Sequence, residues 1–172
     1  MVAKANLQET IPIPSGLSNA FKAELGRRML TEVRERTGRG IDKKGKRFKG
    51  YSDEYKDSLD FKIAGKSNSV NLRQTGDMLA DIEVLVIGSD SITIGYSSGY
   101  DDAGKVEGNV IGSFGNPTGD PSKARDFIGL PSSVVSRIVA EIRSEPEFRE
   151  QRTERDSAIA GILSRFFIED VE

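Results

Sequence analysis

The 172-residue chain has no cysteine, no histidine and no tryptophan. Without cysteine there is no disulfide, no thiolate nucleophile and no thiolate metal ligand. Without histidine there is no imidazole ligand, no Ser–His or Cys–His pair and no histidine general base. Long apolar runs are missing too. None approaches the roughly 18–20 residues that span a bilayer, and the N-terminus lacks a charged segment leading into an apolar stretch. A soluble protein with no membrane partner and no export signal is expected.

An apolar content of 36% is enough for one domain with a modest core. Net charge is also small, with 25 basic against 27 acidic side chains, but its distribution is uneven. Residues 34–49 hold eight cations (Arg34, Arg36, Arg39, Lys43, Lys44, Lys46, Arg47 and Lys49) against Glu35 and Asp42, a net +6. Residues 141–172 hold nine acids against five arginines, a net −4. Opposite charge at two ends favours attraction between copies.

After an irregular start containing Pro12 and Pro14, Leu17, Phe21, Leu25 and Met29 recur every fourth residue, widened by Leu30 and Val33. This stripe predicts an amphipathic helix over 18–37, capped by Ser15 or Ser18 and ended at Gly38. Residues 38–50 have no apolar period and read as a mobile loop. Tyr51, Tyr55, Leu59 and Ile63 predict a second short helix, with Ser52, Asp53 and Glu54 at its start. One or two helical turns follow at Met78, Leu79 and Ile82. Residues 83–87 and 91–96, rich in Val and Ile around Gly88-Ser89-Asp90, predict a β-hairpin.

The glycine-rich stretch 97–122 has room for a short helix over 103–110, and Phe127 to Leu130 for one more strand. Val134, Val135, Ile138, Val139 and Ile142 predict a helix capped by Ser132 or Ser133 and ended by Glu145-Pro146. A last helix is expected over 147–168, polar first and apolar later. The expected class is α+β: a small antiparallel sheet packed with an N-terminal amphipathic helix and C-terminal helices, joined by extended loops. Residues 1–145 would form the core domain and 146–172 a helical extension.

Chemistry-bearing patterns are few. Asp101, Asp102 and Glu107 place three carboxylates in one loop, but not with the spacing of a calcium loop; a hydrolase using them with Mg²⁺ or Mn²⁺ is the weaker reading beside a solvated loop. The glycines from Gly104 to Gly119 lack the Lys-Ser or Lys-Thr of a phosphate loop. Gly95-Tyr96-Ser97-Ser98-Gly99 looks like a nucleophile elbow, with no histidine to activate its serine. No catalytic residue, metal ligand or cofactor is therefore expected. The basic segment, with Arg39, Lys43, Lys44, Lys46, Arg47 and Lys49, reads as a solvated loop, as a contact for nucleic acid with Phe48 and Tyr51 placed to stack on bases, or as a contact for an acidic protein surface.

The order of features resembles a known group. The amphipathic helix, the basic loop into Phe48-Lys49-Gly50-Tyr51 and Tyr55, Leu72-Arg73-Gln74-Thr75-Gly76-Asp77-Met78-Leu79, the hairpin, and Ala124-Arg125-Asp126-Phe127-Ile128-Gly129-Leu130 together resemble the virion morphogenesis (tail-completion or neck) proteins of tailed bacteriophages. Members carry a Leu-x-x-Thr-Gly-x-(Met or Leu)-Leu segment before the hairpin and an Arg-x-Phe-(Leu or Ile)-Gly-Leu segment before the last helices. The similarity covers roughly residues 18–140. This chain differs in having no histidine in 97–122 and a longer segment after Pro146.

The resemblance implies a non-enzymatic virion protein, made in the host cytoplasm, that joins head to tail as a ring, often of six copies. Its neighbours would be the head connector or adaptor and the tail-tube or sheath-terminal proteins, and packaged DNA would pass close by. A tail terminator or a nucleic-acid-binding accessory protein are the alternatives. On physical grounds the motif residues read as structural. Thr75 would cap a short helix at Gly76 or Asp77, with Met78, Leu79 and Ile82 anchoring the hairpin to the core; Arg125 would pair with a carboxylate while Phe127 and Leu130 plug the sheet, and Leu72 and Gly129 are counted with them as structural motif positions.

Overall fold

The computed structural model describes residues 7–63, 65, 70, 72, 77–100, 103–113 and 120–149. Three strands, β1 (Gln8–Pro12), β2 (Glu83–Ile87) and β3 (Ser91–Gly95), form an antiparallel sheet in the order β1-β3-β2. The predicted hairpin is β2–β3, with a bulge between Val84 and Val86. β1 lies in the segment read as irregular. Its register sets Ile11 opposite Ile92 and Thr10 opposite Thr93, whose hydroxyls meet at 2.9 Å. Two features hid this strand: Glu9 interrupts the apolar alternation with Ile11 and Ile13, and Pro12 ends it without a donor.

The long helix α1 (Asn19–Gly38) begins where expected, Ser18 accepting from the Phe21 amide at 3.2 Å. Its stripe, Phe21, Leu25, Met29 and Val33, is buried. Gly26 brings α1 close to β2, since a Cβ there would stand 3.1 Å from Val84 Cγ2. The final helix among the named elements, α6 (Ser132–Ser144), packs on α1 through Val135, Ile138, Val139 and Ile142. Pro131 is its N-cap and no side-chain cap bond forms, so neither Ser132 nor Ser133 plays the predicted part; both lie inside the first turn with their side chains exposed. Arg28 ties the two helices by an ion pair to Glu145 at 2.5 Å, and Phe148 stacks edge-on to Phe21 at 5.2 Å.

The helix expected across 51–63 is two pieces, α2 (Asp53–Asp57) and α3 (Leu59–Ile63). Ser58 is extended between them, and its hydroxyl donates to the Tyr55 carbonyl while accepting from the Phe61 amide. This break rotates the second piece relative to the first. Phe61, not Leu59, joins Tyr51 and Tyr55, with all ring centroids within 5.5 Å. α4 (Asp77–Ala80) and α5 (Ala103–Ile111) lie where short helices were expected.

Phe127 to Leu130 is a bend, not a strand. Gly129 has φ +112, outside extended geometry, and the Phe127 and Gly129 carbonyls accept from Arg36 instead of from a neighbouring strand. Phe127, Ile128 and Leu130 still enter the core. The α+β class stands as predicted. Most of the proposed 147–168 helix, from 150 onward, lies outside the described residues, while residues 146–149 are helical.

Candidate functional site

The basic segment is an ordered hairpin rather than a mobile loop. Ile41 bridges Arg47, the Phe48 amide donates to the Gly40 carbonyl and the Asp42 amide to the Lys46 carbonyl, both at 2.8 Å. The Asp42 carboxylate accepts from the Lys44 and Lys46 amides at 2.9 and 2.7 Å. It therefore fastens the turn from inside, as short acidic side chains do.

The structure divides the eight cations into two groups. Arg34 donates to the carbonyls of Leu79, Ala80 and Ile82, closing the end of α4. Arg36 is 4% exposed and forks onto the carbonyls of Gly129 and Phe127; burial pushes its pKa down, against the raising influence of Glu32, Asp42, Asp126 and Glu9. Lys43 reaches inward to Glu9 at 2.8 Å and Asp126 at 3.0 Å. Burial opposes its charge, but the two hydrogen bonds prevail and raise its pKa. These three are internal fasteners, and Lys43 is thereby removed from the proposed contact set.

Arg39, Lys44, Lys46, Arg47 and Lys49 are exposed. Arg39 lies 4.0 Å from Glu32. Among the described residues, no carboxylate is within ion-pair distance of the other four. The aromatic partners expected beside them are engaged elsewhere, Phe48 packing against the core and Tyr51 in its ring cluster.

The motif residues are core and frame. Leu79, Phe127 and Leu130 are buried, Leu72 is half-buried against the core, and Asp77 opens α4. Arg125 donates to Asn109 Oδ1 at 3.1 Å and lies 5.6 Å from the Tyr51 ring centroid. Burial lowers its pKa, against the tyrosines Tyr51 and Tyr55. Thr75, Gly76, Asp101 and Asp102 lie outside the described residues. Glu107 is on α5, and no group of three or more potential metal-ligating side chains occurs among the described residues.

A cleft of about 600 Å³ lies between the end of β1 and α6, lined by Pro12, Pro14, Val135, Val139, Ala140 and Arg143 among others. Among the described residues Arg143 is the one charged side chain in its lining, so these form no acid–base pair. A different surface went unnoticed in the sequence. Leu59 (71% exposed) and Ile63 (75%) on α3, and Val86 (57%) and Ile87 (44%) on the edge strand β2, remain in solvent. Four-residue spacing places the first pair on one predicted helix with the tyrosines; Ser58 is the signal that the helix breaks. No helix among the described residues is long and apolar enough to cross a membrane. Comparison with protein-family models, with curated proteins and with solved structures gives no match.

Proposed function

We propose that this chain is a structural protein of a phage virion that assembles into a ring at the head–tail junction, touching the connector on one side and the tail on the other. The observation that carries the ring is the pair of apolar patches left in solvent at Leu59/Ile63 and Val86/Ile87. Among the described residues these four are the large apolar side chains left exposed, and a domain gains by covering such patches. The two are on different elements of one chain, and in the proposed ring the patch on one copy meets the other patch on the next. That is a heterologous contact, which closes into a ring when the rotation between copies allows.

The place in the virion rests on the resemblance in motif order, and the burial of Leu79, Phe127 and Leu130 suits motifs kept for folding. Charge contributes less than the sequence suggested. Glu141 and Glu145 are paired with Arg137 and Arg28, and Lys43 with Glu9 and Asp126, so both charged segments are partly neutralised within one subunit. The reading is tested by labelling intact virions with an antibody to this chain. Label confined to the neck is expected; label elsewhere, or its absence from the particle, refutes the assignment.

A further inference from the structure

We infer that the hairpin between Gly40 and Phe48 binds the phosphate backbone of duplex nucleic acid, without reading bases, through Lys44, Lys46, Arg47 and Lys49 with Arg39 at its base. The ring reading rests on other residues, so either can fail alone.

Three observations carry it. The turn is held by its own backbone bonds and by Asp42, so little order has to be imposed on binding. The hairpin extends about four residues from base to tip, or roughly 13 Å at about 3.3 Å per residue. Duplex DNA presents about one charge per 1.7 Å of axis with both strands counted, or about 3.4 Å per strand, so that length spans about four phosphates on one strand, a match to the exposed cations.

The third observation is what the hairpin lacks. Its exposed side chains are cationic, while Ile41 and Phe48 are half-buried. A protein partner would want an apolar or aromatic anchor, and single strands are held by stacking on free rings. Neither is offered, since Phe48 lies on the core and Tyr51 on Tyr55 and Phe61. Point charges on a fixed turn suit a backbone contact to a duplex.

The test is titration of a random-sequence DNA duplex with the full chain across about 50 to 200 mM salt. Four or five contacts predict a slope of log affinity on log salt near −4 per chain engaged, a loss of about 10²-fold over that range. The variant K44A/K46A, at exposed positions, is expected to lower the slope by about 1.8. K43A is expected to leave the slope unchanged while lowering the melting temperature. Overturning results are no duplex binding at the low salt, a slope indifferent to K44A/K46A, tighter binding of the matching single strand, or equal competition by poly-glutamate, which would assign the hairpin to acidic protein surfaces.

Discussion

Arg36 Nη2 donates to the Phe127 carbonyl at 2.7 Å across 91 positions of sequence. With Nη1 on the Gly129 carbonyl at 3.0 Å, the guanidinium fastens the bend that plugs the core to the last turn of α1. R36M leaves two buried acceptors without a donor, at about 1–3 kcal/mol each. R36K keeps the charge and loses the fork, and is expected to fall between. Urea midpoints of the three proteins check this order.

Gly129 fits its place twice over, by φ +112 and because a Cβ would stand 2.4 Å from the Glu9 carboxylate. G129A is expected to cost about 1–3 kcal/mol from backbone strain alone, with more from displacing Glu9 off Lys43. Adding E9A relieves the second part only. The double variant is therefore expected to be less destabilised than the sum of the singles, a coupling that a double-mutant cycle measures.

Much of this was legible in sequence where one periodicity matched one element. α1, the β2–β3 hairpin, α5 and α6 have apolar repeats or turn residues that belong to a single structure. Two of the misreadings have a different cause: a polar residue with a partner far along the chain. Glu9 disguised β1 because Lys43, 34 positions on, satisfies it. Arg36 and Lys43 were indistinguishable from Lys44 by type and spacing, and only the carbonyls and carboxylates brought near them by folding separate the groups. Ser58 carried a local signal, its capping chemistry, that the four-residue stripe overrode.

Tyr96 is 1% exposed and its hydroxyl donates to the Met78 carbonyl at 2.5 Å. Burial pushes the phenol pKa far up, aided by Tyr100 and Asp81 and opposed by Arg34. With the folded value above the unfolded one, the stabilisation is complete below about pH 10 and declines as pH rises above it. Y96F is expected to lose about 1–2 kcal/mol at neutral pH from the unpaired carbonyl, and its stability is expected to fall less steeply in alkali. Denaturation curves at several pH values show both effects.

Glu24 gives the acid counterpart. Hydrogen bonds from Arg27 and Arg28 hold its carboxyl down to about 2, against a smaller opposing effect of burial. A depressed carboxyl stabilises above its unfolded value and loses that contribution as pH falls towards about 2. Arg27 is 64% exposed, so solvent screens the pair. E24Q is expected to cost less than about 1 kcal/mol at neutral pH and to flatten the decline of stability below pH 4.5, as thermal melts over that range will register.

In the proposed ring the apolar patches on α3 and β2 join copies of the chain. Light scattering of the purified protein at physiological salt and near 1 M, repeated on L59D and on V86D/I87D, tests it most directly. A discrete multimer is expected that persists at high salt, where the Debye length is about 3 Å, and that falls to monomer in both variants without loss of helix content. A wild-type chain monomeric at both salts, or a multimer indifferent to both variants, would contradict it.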